Sequence, residues 1–150
     1  METGEIAPDF TLPDQAGVPR TLSELLNDGP VVLFFYPAAG TAGCTKESCH
    51  FRDLAGEFRA VGAQRVGISM DSVDRQKGFA DAHNFDYPLL SDSDGDVARL
   101  FGVKRAFDFL KVRRTTFVID RDRTILARFT SETKMDAHAD EALAVLRARR

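Results

Sequence analysis

Val31-Val32-Leu33-Phe34-Phe35-Tyr36, stopped by Pro37 and followed by Ala38-Ala39-Gly40-Thr41-Ala42-Gly43-Cys44, is the stretch whose reading decides the fold. Its first six residues are β-branched, aliphatic or aromatic with no polar alternation, the pattern of a central strand covered on both faces. Pro37 offers no N–H to a ladder and ends the strand. The small residues after it make a loop. A helix is expected from about Gly43 to Ala60, with Phe51, Leu54, Ala55 and Phe58 on one side.

Working outward, Phe10-Thr11-Leu12 and the turn-rich Asp14-Gln15-Ala16-Gly17 predict a small hairpin, then a short helix in which Thr21 and Glu24 have capping-box spacing. On the other side, Arg65 to Ser69 returns as a strand, and Asp71 or Ser72 caps a helix reaching about His83. Tyr87 to Leu90 reads as a short strand, and Asp92 or Asp94 opens a helix ending near Gly102. Thr115 to Ile119 and Ile125 to Phe129 flank a turn at Asp120-Arg121-Asp122-Arg123. Asp136 to Arg149 then has helical spacing of Ala139, Leu143 and Leu146. Strands alternating with helices, closed by a hairpin and a helix, imply an α/β sandwich with a mixed central sheet.

The chain has 150 residues, 43% of them hydrophobic, and contains no low-complexity linker or internal repeat. One domain over residues 1–150 is therefore expected. A net charge of -3 argues against a nucleic-acid partner, and Arg147, Arg149 and Arg150 suit the C-terminal end of a helix dipole. The longest apolar run, Val31 to Tyr36, is far short of the ~20 residues that span a bilayer. The acidic start Met1-Glu2-Thr3-Gly4-Glu5 lacks the character of a secretory signal, so a cytoplasmic, reducing location is expected. A close cysteine pair there is more often redox-active, catalytic or metal-binding than a permanent staple.

Cys44 falls at a strand-to-helix junction, where unpaired N–H groups and the helix dipole favour a thiolate over a thiol. The polar, Gly-rich surroundings make this a poor place to hide an inert thiol. Gly43 permits close backbone approach, and the Thr41 hydroxyl can both donate and accept. Cys49 follows five residues later. In an intact helix such residues have Cα atoms about 8 to 9 Å apart, beyond the roughly 7 Å limit for a disulfide. Bonding Cys44 to Cys49 thus requires the helix between them to unwind.

Pro37-x-x-x-Thr41-x-x-Cys44 resembles the active-site signature of peroxiredoxins, and Cys44-x-x-x-x-Cys49 resembles the subgroup called bacterioferritin comigratory protein or peroxiredoxin Q. The resemblance continues through Ala7-Pro8-Asp9-Phe10-Thr11-Leu12, Val32 to Tyr36, Tyr87-Pro88-Leu89-Leu90-Ser91-Asp92, Phe101-Gly102-Val103 and Arg114-Thr115-Thr116-Phe117-Val118-Ile119-Asp120. It implies a thioredoxin-like fold with an N-terminal hairpin extension and an inserted strand-helix. It also implies a peroxidase acting on hydrogen peroxide and organic hydroperoxides without cofactor or metal.

In that scheme Cys44 is the peroxidatic thiol, Cys49 the resolving thiol, and thioredoxin or a similar dithiol the reductant. Thr41 and Arg114, with backbone N–H groups near Gly43 and Cys44, would hold the peroxide. Pro37 would shield the sulfur, and Glu47 would pair with Arg114. The Arg-x-Thr/Ser-Phe pattern selects Arg114 over Arg113, and alternation puts Arg114 and Phe117 on opposite faces. Members of this subgroup are often monomers. Ala42, where proline is common, and Gly40, where larger residues are frequent, depart from the usual loop.

Other chemistries fit less well. A thioredoxin-like disulfide oxidoreductase normally uses Cys-x-x-Cys. Zinc at Cys44, Cys49 and His50 would lack a fourth ligand, His83 and His138 being placed far away, and a cysteine hydrolase needs a histidine nearer the thiol. A non-catalytic partner-binding module would not depend on Cys44.

Overall fold

In the computed structural model, which describes residues 1–105 and 111–149, the N-terminal hairpin pairs β1 (Thr11–Pro13) with β2 (Pro19–Thr21). Asp14 builds its turn by accepting from the N–H groups of Ala16 and Val18. The helix after it is one turn, α1 (Leu22–Leu25). The capping box expected of Thr21 and Glu24 does not form. The Thr21 hydroxyl bonds Thr11 across the hairpin at 2.8 Å, while Asp9 accepts from the N–H and hydroxyl of Ser23 at the helix start.

The stretch Val31–Phe35 is β3, hydrogen-bonded in parallel to β4 (Gln64–Ser69) and antiparallel to β6 (Thr115–Ile119). With β5 (Leu89–Ser91) beyond β4 and β7 (Ile125–Thr130) beyond β6, the sheet order is β5-β4-β3-β6-β7. Its two faces divide the residues of β3. Val31, Leu33 and Phe35 join Ile68, Phe101 and Phe117 on one side; Val32, Phe34 and Tyr36 join Phe51, Phe58 and Leu143 on the other. Burial on both faces is why this strand carries no polar alternation.

The expected helix over 43–60 is two, α2 (Ala42–Asp53) and α3 (Ala55–Ala60). Leu54 between them sits at φ -94°, ψ 20°, outside helical values, and the break lets Phe51 and Phe58 stack with centroids 5.8 Å apart. Ser72 caps α4 (Val73–His83) by accepting from Arg75 N–H at 3.2 Å. The expected strand at Tyr87 to Leu90 shifts to β5 because Pro88 lacks an N–H for the ladder. The helix expected from Asp92 or Asp94 to Gly102 contracts to α5 (Asp96–Leu100), whose first N–H groups are held by the buried Asp92 carboxylate. The β6–β7 hairpin leads to α6 (Met135–Ala148).

The core order β3-α2-β4-α4-β6-β7-α6, preceded by β1-β2 and interrupted by β5-α5, is the thioredoxin-like arrangement with an N-terminal hairpin and an inserted strand-helix. Among the described residues no helix is long and apolar enough to cross a membrane.

Helix α2 is seated by aromatic packing. Phe34 stacks on Phe51 at 4.1 Å between centroids and 7° between planes, and Tyr87 closes on Phe34 edge-on at 5.8 Å. Gly67 makes room for this layer, since a Cβ there would lie 2.8 Å from Leu89 and 3.0 Å from Phe34. Phe34→Ala is expected to destabilise the fold by about 3–5 kcal/mol, measured by urea unfolding.

Candidate active site

The first hydrogen bond of α2 runs from Thr45 N–H to Thr41 O at 2.8 Å, so the N–H groups of Ala42, Gly43 and Cys44 precede the helical ladder. Cys44 thus occupies the first turn, where the dipole favours a negative group. Against the expectation from its small, polar neighbours, its side chain is 0% exposed. The burial is not apolar on every side. Arg114 Nη2 donates to Cys44 Sγ at 3.3 Å.

Arg114 lies just before β6, with Thr116 and Val118 on the face turned toward α2 and Phe117 on the opposite one. Alternation therefore separates Arg114 from Arg113, which is exposed and whose N–H bonds Val103 O at 2.8 Å. The backbone of Arg114 is clamped from both sides: its N–H donates to Glu132 Oε2 at 3.1 Å, and its carbonyl accepts from Ser131 N–H at 3.2 Å. The same Glu132 oxygen accepts from Arg105 Nη2 at 3.0 Å.

Glu47, one turn beyond Cys44, reaches the same guanidinium, accepting from Arg114 Nη1 at 2.8 Å. Both side chains are buried, Glu47 at 0% exposure. Burial raises the Glu47 carboxyl from the ordinary 4.5 to about 8, with the Arg114 charge opposing this only in part. Burial also works against the Arg114 cation, but Glu47 and Cys44 outweigh it and its pKa is raised.

The strand-to-helix loop is tied down separately. Pro37 is buried, and Ala39 N–H donates to Asp71 Oδ2 at 2.7 Å. Ser69 donates to the same oxygen, and Gln76 bonds both Ser69 and the Tyr36 hydroxyl, so the loop rests on a buried polar network. The Thr41 side chain is exposed and its hydroxyl donates to Ala38 O at 2.9 Å. Its proton is thus engaged, leaving its lone pairs rather than its O–H for an incoming group. Gly43 allows close approach as expected: a Cβ there would lie 2.9 Å from Met135 Cε and 3.2 Å from Arg114 Nη2.

Cys49 is half-buried further along α2, and neither cysteine is in a disulfide. His50 turns away to Asp140 at 2.8 Å. The spacing places His138 on a remote helix, but the fold brings it to the back of the site, fully buried, with Nδ1 3.5 Å from Glu47 Oε2 and 2.7 Å from Thr116 Oγ1. Thr116, Glu132, Met135 and Asp71 escape sequence reasoning as well. A capping-type Ser/Asp spacing hinted at Asp71 alone.

A buried carboxyl with a folded-state pKa near 8 keeps its proton where the unfolded chain, at the ordinary 4.5, has lost it. Its contribution to stability is full below 4.5 and declines as pH rises through about 8. Wild type is expected to lose stability relative to Glu47→Gln across that window, with a flat difference above it, as measured by urea unfolding at a series of pH values.

Comparison with known proteins agrees with this geometry. The AhpC/TSA family profile matches residues 3–128. The crystal structure of peroxidoxin BcpB from Mycobacterium tuberculosis superposes with a TM-score of 0.97 at 64% identity, covering 100% of this chain and 99% of that one. A chloroplastic peroxiredoxin Q from Sedum lineare is 38% identical over 97% of this chain and 77% of its own length. A Xanthomonas campestris bacterioferritin comigratory protein, studied for alkyl peroxide reduction, has a TM-score of 0.89 at 30% identity, with 99% of each chain covered. The chain with Cys44 at the start of α2 and Arg114 beside it belongs to the AhpC/TSA family, and within it to the peroxiredoxins of the Q or bacterioferritin comigratory protein type.

Proposed function

We propose that Cys44 is the peroxidatic thiol of this peroxiredoxin and Cys49 its resolving partner, acting on hydrogen peroxide and organic hydroperoxides. The observation that carries the reading is the buried Arg114 guanidinium 3.3 Å from Cys44 Sγ at the first turn of α2. A cation and free N–H groups on one sulfur favour the thiolate, which is the nucleophile. The thiolate attacks the terminal oxygen of the hydroperoxide and the O–O bond breaks. Water or an alcohol leaves after taking up a proton, and Cys44 becomes a sulfenic acid. Arg114 and the N–H groups at Gly43 and Cys44 stabilise the charge moving to the leaving oxygen, while Thr41 accepts the peroxide O–H. Pro37 keeps bulk water from the sulfur, and Glu47 orients Arg114.

The Cys49 thiolate then attacks the Cys44 sulfur, expelling the hydroxyl as water and forming a disulfide. Thioredoxin or a similar dithiol reduces it by two successive exchanges. Residues 1–150 act as one domain, a cytoplasmic monomer that needs no cofactor. The net charge of -3 supports the absence of a nucleic-acid partner.

Resolution requires α2 to open, because both thiols lie in one continuous helix. Its later part is anchored: Tyr87 donates to Ser48 O at 2.7 Å, Arg65 to Phe51 O at 3.0 Å, and Phe51 stacks on Phe34. The first turn is held mainly through Cys44 and Glu47 to Arg114, contacts that change when the thiolate is consumed. Oxidation is expected to lower amide-exchange protection from Cys44 to His50 and reduction to restore it. Equal protection in the two states would refute the opening.

Activity is tested by following peroxide consumption with thioredoxin and its reductase. Wild type should turn over, and Cys44→Ser should show no oxidation. Cys49→Ser should be oxidised once without turnover. Absence of turnover in wild type with any dithiol would overturn the reading.

A further inference from the structure

Behind Arg114 the site ends in groups that the peroxide chemistry leaves unused. Glu47 Oε1 is satisfied by Arg114, but Oε2, fully out of water, has no hydrogen-bond partner among the described residues. A buried polar oxygen left in that state is unfavourable, and more so if charged. His138 Nδ1 lies 3.5 Å from it, on a side chain only 1% exposed. His138 Nε2 faces the carbonyl of Ser131 at 2.9 Å, and a carbonyl only accepts, so Nε2 carries a hydrogen. The open question at this wall is what sits on Nδ1.

Charge counting answers it. Among the described residues, Arg114 is the one cation bonded to both Cys44 and Glu47. Were both ionised beside a neutral His138, the dry pocket would hold a net negative charge, which burial penalises heavily. The remaining charges facing this wall do not relieve it. From the loop after β7, Glu132 adds negative potential and is itself bonded to Arg105; across the outer side of α2 and α6, His50 is paired with Asp140. One proton held by either Glu47 or His138 does relieve it. The pair is neutral whether it is a carboxylic acid facing a bare nitrogen or a carboxylate facing an imidazolium. The hydrogen bond of Nδ1 is with Thr116 Oγ1 at 2.7 Å, which donates to the bare nitrogen in the first arrangement and accepts in the second, so Glu47 and His138 are coupled through charge across 3.5 Å.

We propose that Glu47 and His138 share one proton and titrate as a unit, so that His138 is a positioning residue that keeps the Arg114 charge available to the Cys44 thiolate. The inference rests on Cys44 being the reactive thiolate. Burial raises the Glu47 carboxyl to about 8 and lowers the His138 imidazole, the directions expected of a dry pair that avoids separate charges. Two ionisable groups that interact by more than about one pK unit titrate as a pair rather than as individual residues.

When the shared proton is lost at alkaline pH, the pair turns negative and competes with Cys44 for Arg114. In a Cys49→Ser background, which isolates the first oxidation, the rate constant with hydrogen peroxide is expected to fall about tenfold as the pair ionises. The nitrogen-15 resonances of His138 should shift over the same pH range. Glu47→Gln should abolish the alkaline fall and uncouple the His138 titration. An alkaline fall that persists in Glu47→Gln, or no fall in its parent, overturns the proposal. So does a His138 midpoint near the ordinary ~6.5 that Glu47→Gln does not move. The resonance measurement reads the shared proton whether or not Cys44 reacts, so failure of the peroxidase reading, seen as no Cys44 oxidation at any pH, is distinguishable from failure of the pair.

Discussion

A guanidinium taken out of water must find its partners inside the protein, and Arg114 finds two that compete for it, the sulfur of Cys44 at 3.3 Å and the carboxyl of Glu47 at 2.8 Å. Everything around the site serves this one contact. The backbone of Arg114 is clamped by Ser131 and Glu132, which fixes where its side chain starts, and Glu47 and Cys44 hold the guanidinium itself. Glu47 fixes the plane of the fork, leaving Nη2 for the sulfur. Because the pocket is dry, each charge added to it matters far more than it would on the surface, which makes the protonation of Glu47 as consequential as its position.

Helix α2 carries two opposed demands. Its first turn must be ordered to present N–H groups to the Cys44 sulfur, yet the same turn separates Cys44 from Cys49 by more than a disulfide can bridge. The structure distributes its anchoring accordingly. Phe51 is stacked on Phe34 and its carbonyl is held by Arg65, while Ser48 O is held by Tyr87. The N-terminal turn, by contrast, leans on Cys44 and Glu47, the groups that touch Arg114. The part of the helix that the proposed cycle asks to move is thus tied through the reacting residues themselves, and the rest through the core.

Much of the fold was legible because it rests on local rules. Val31 to Tyr36 is apolar on both faces, and only a central strand between two layers makes that favourable. Pro37 ends the strand whatever follows. The misreadings were also local in cause. Thr21 met a cross-strand hydroxyl instead of its helix, Pro88 moved the start of a strand two residues on, and Leu54 broke a helix so that two phenylalanines could reach one core. For Thr21 and Leu54 a contact across the fold outweighed a preference worth about 1 kcal/mol, while Pro88 acted through its own missing N–H.

The sequence by itself determined the chemistry available: a thiol at a helix start, a second thiol that an intact helix keeps out of reach, and, through the Arg-x-Thr/Ser-Phe pattern, an arginine on the face of a later strand opposite Phe117. Spacing and alternation carry that information, since both follow from backbone geometry. Only the tertiary structure decided how the charges are arranged. It buried Cys44 against a cation rather than in water, turned the Thr41 proton toward Ala38, and brought His138 from the last helix to within 3.5 Å of Glu47. Ninety-one residues separate His138 from Glu47 along the chain, and no periodicity crosses that gap. What joins them is the packing of α6 against α2, and it is the dryness of that packing that makes the protonation of one group depend on the other.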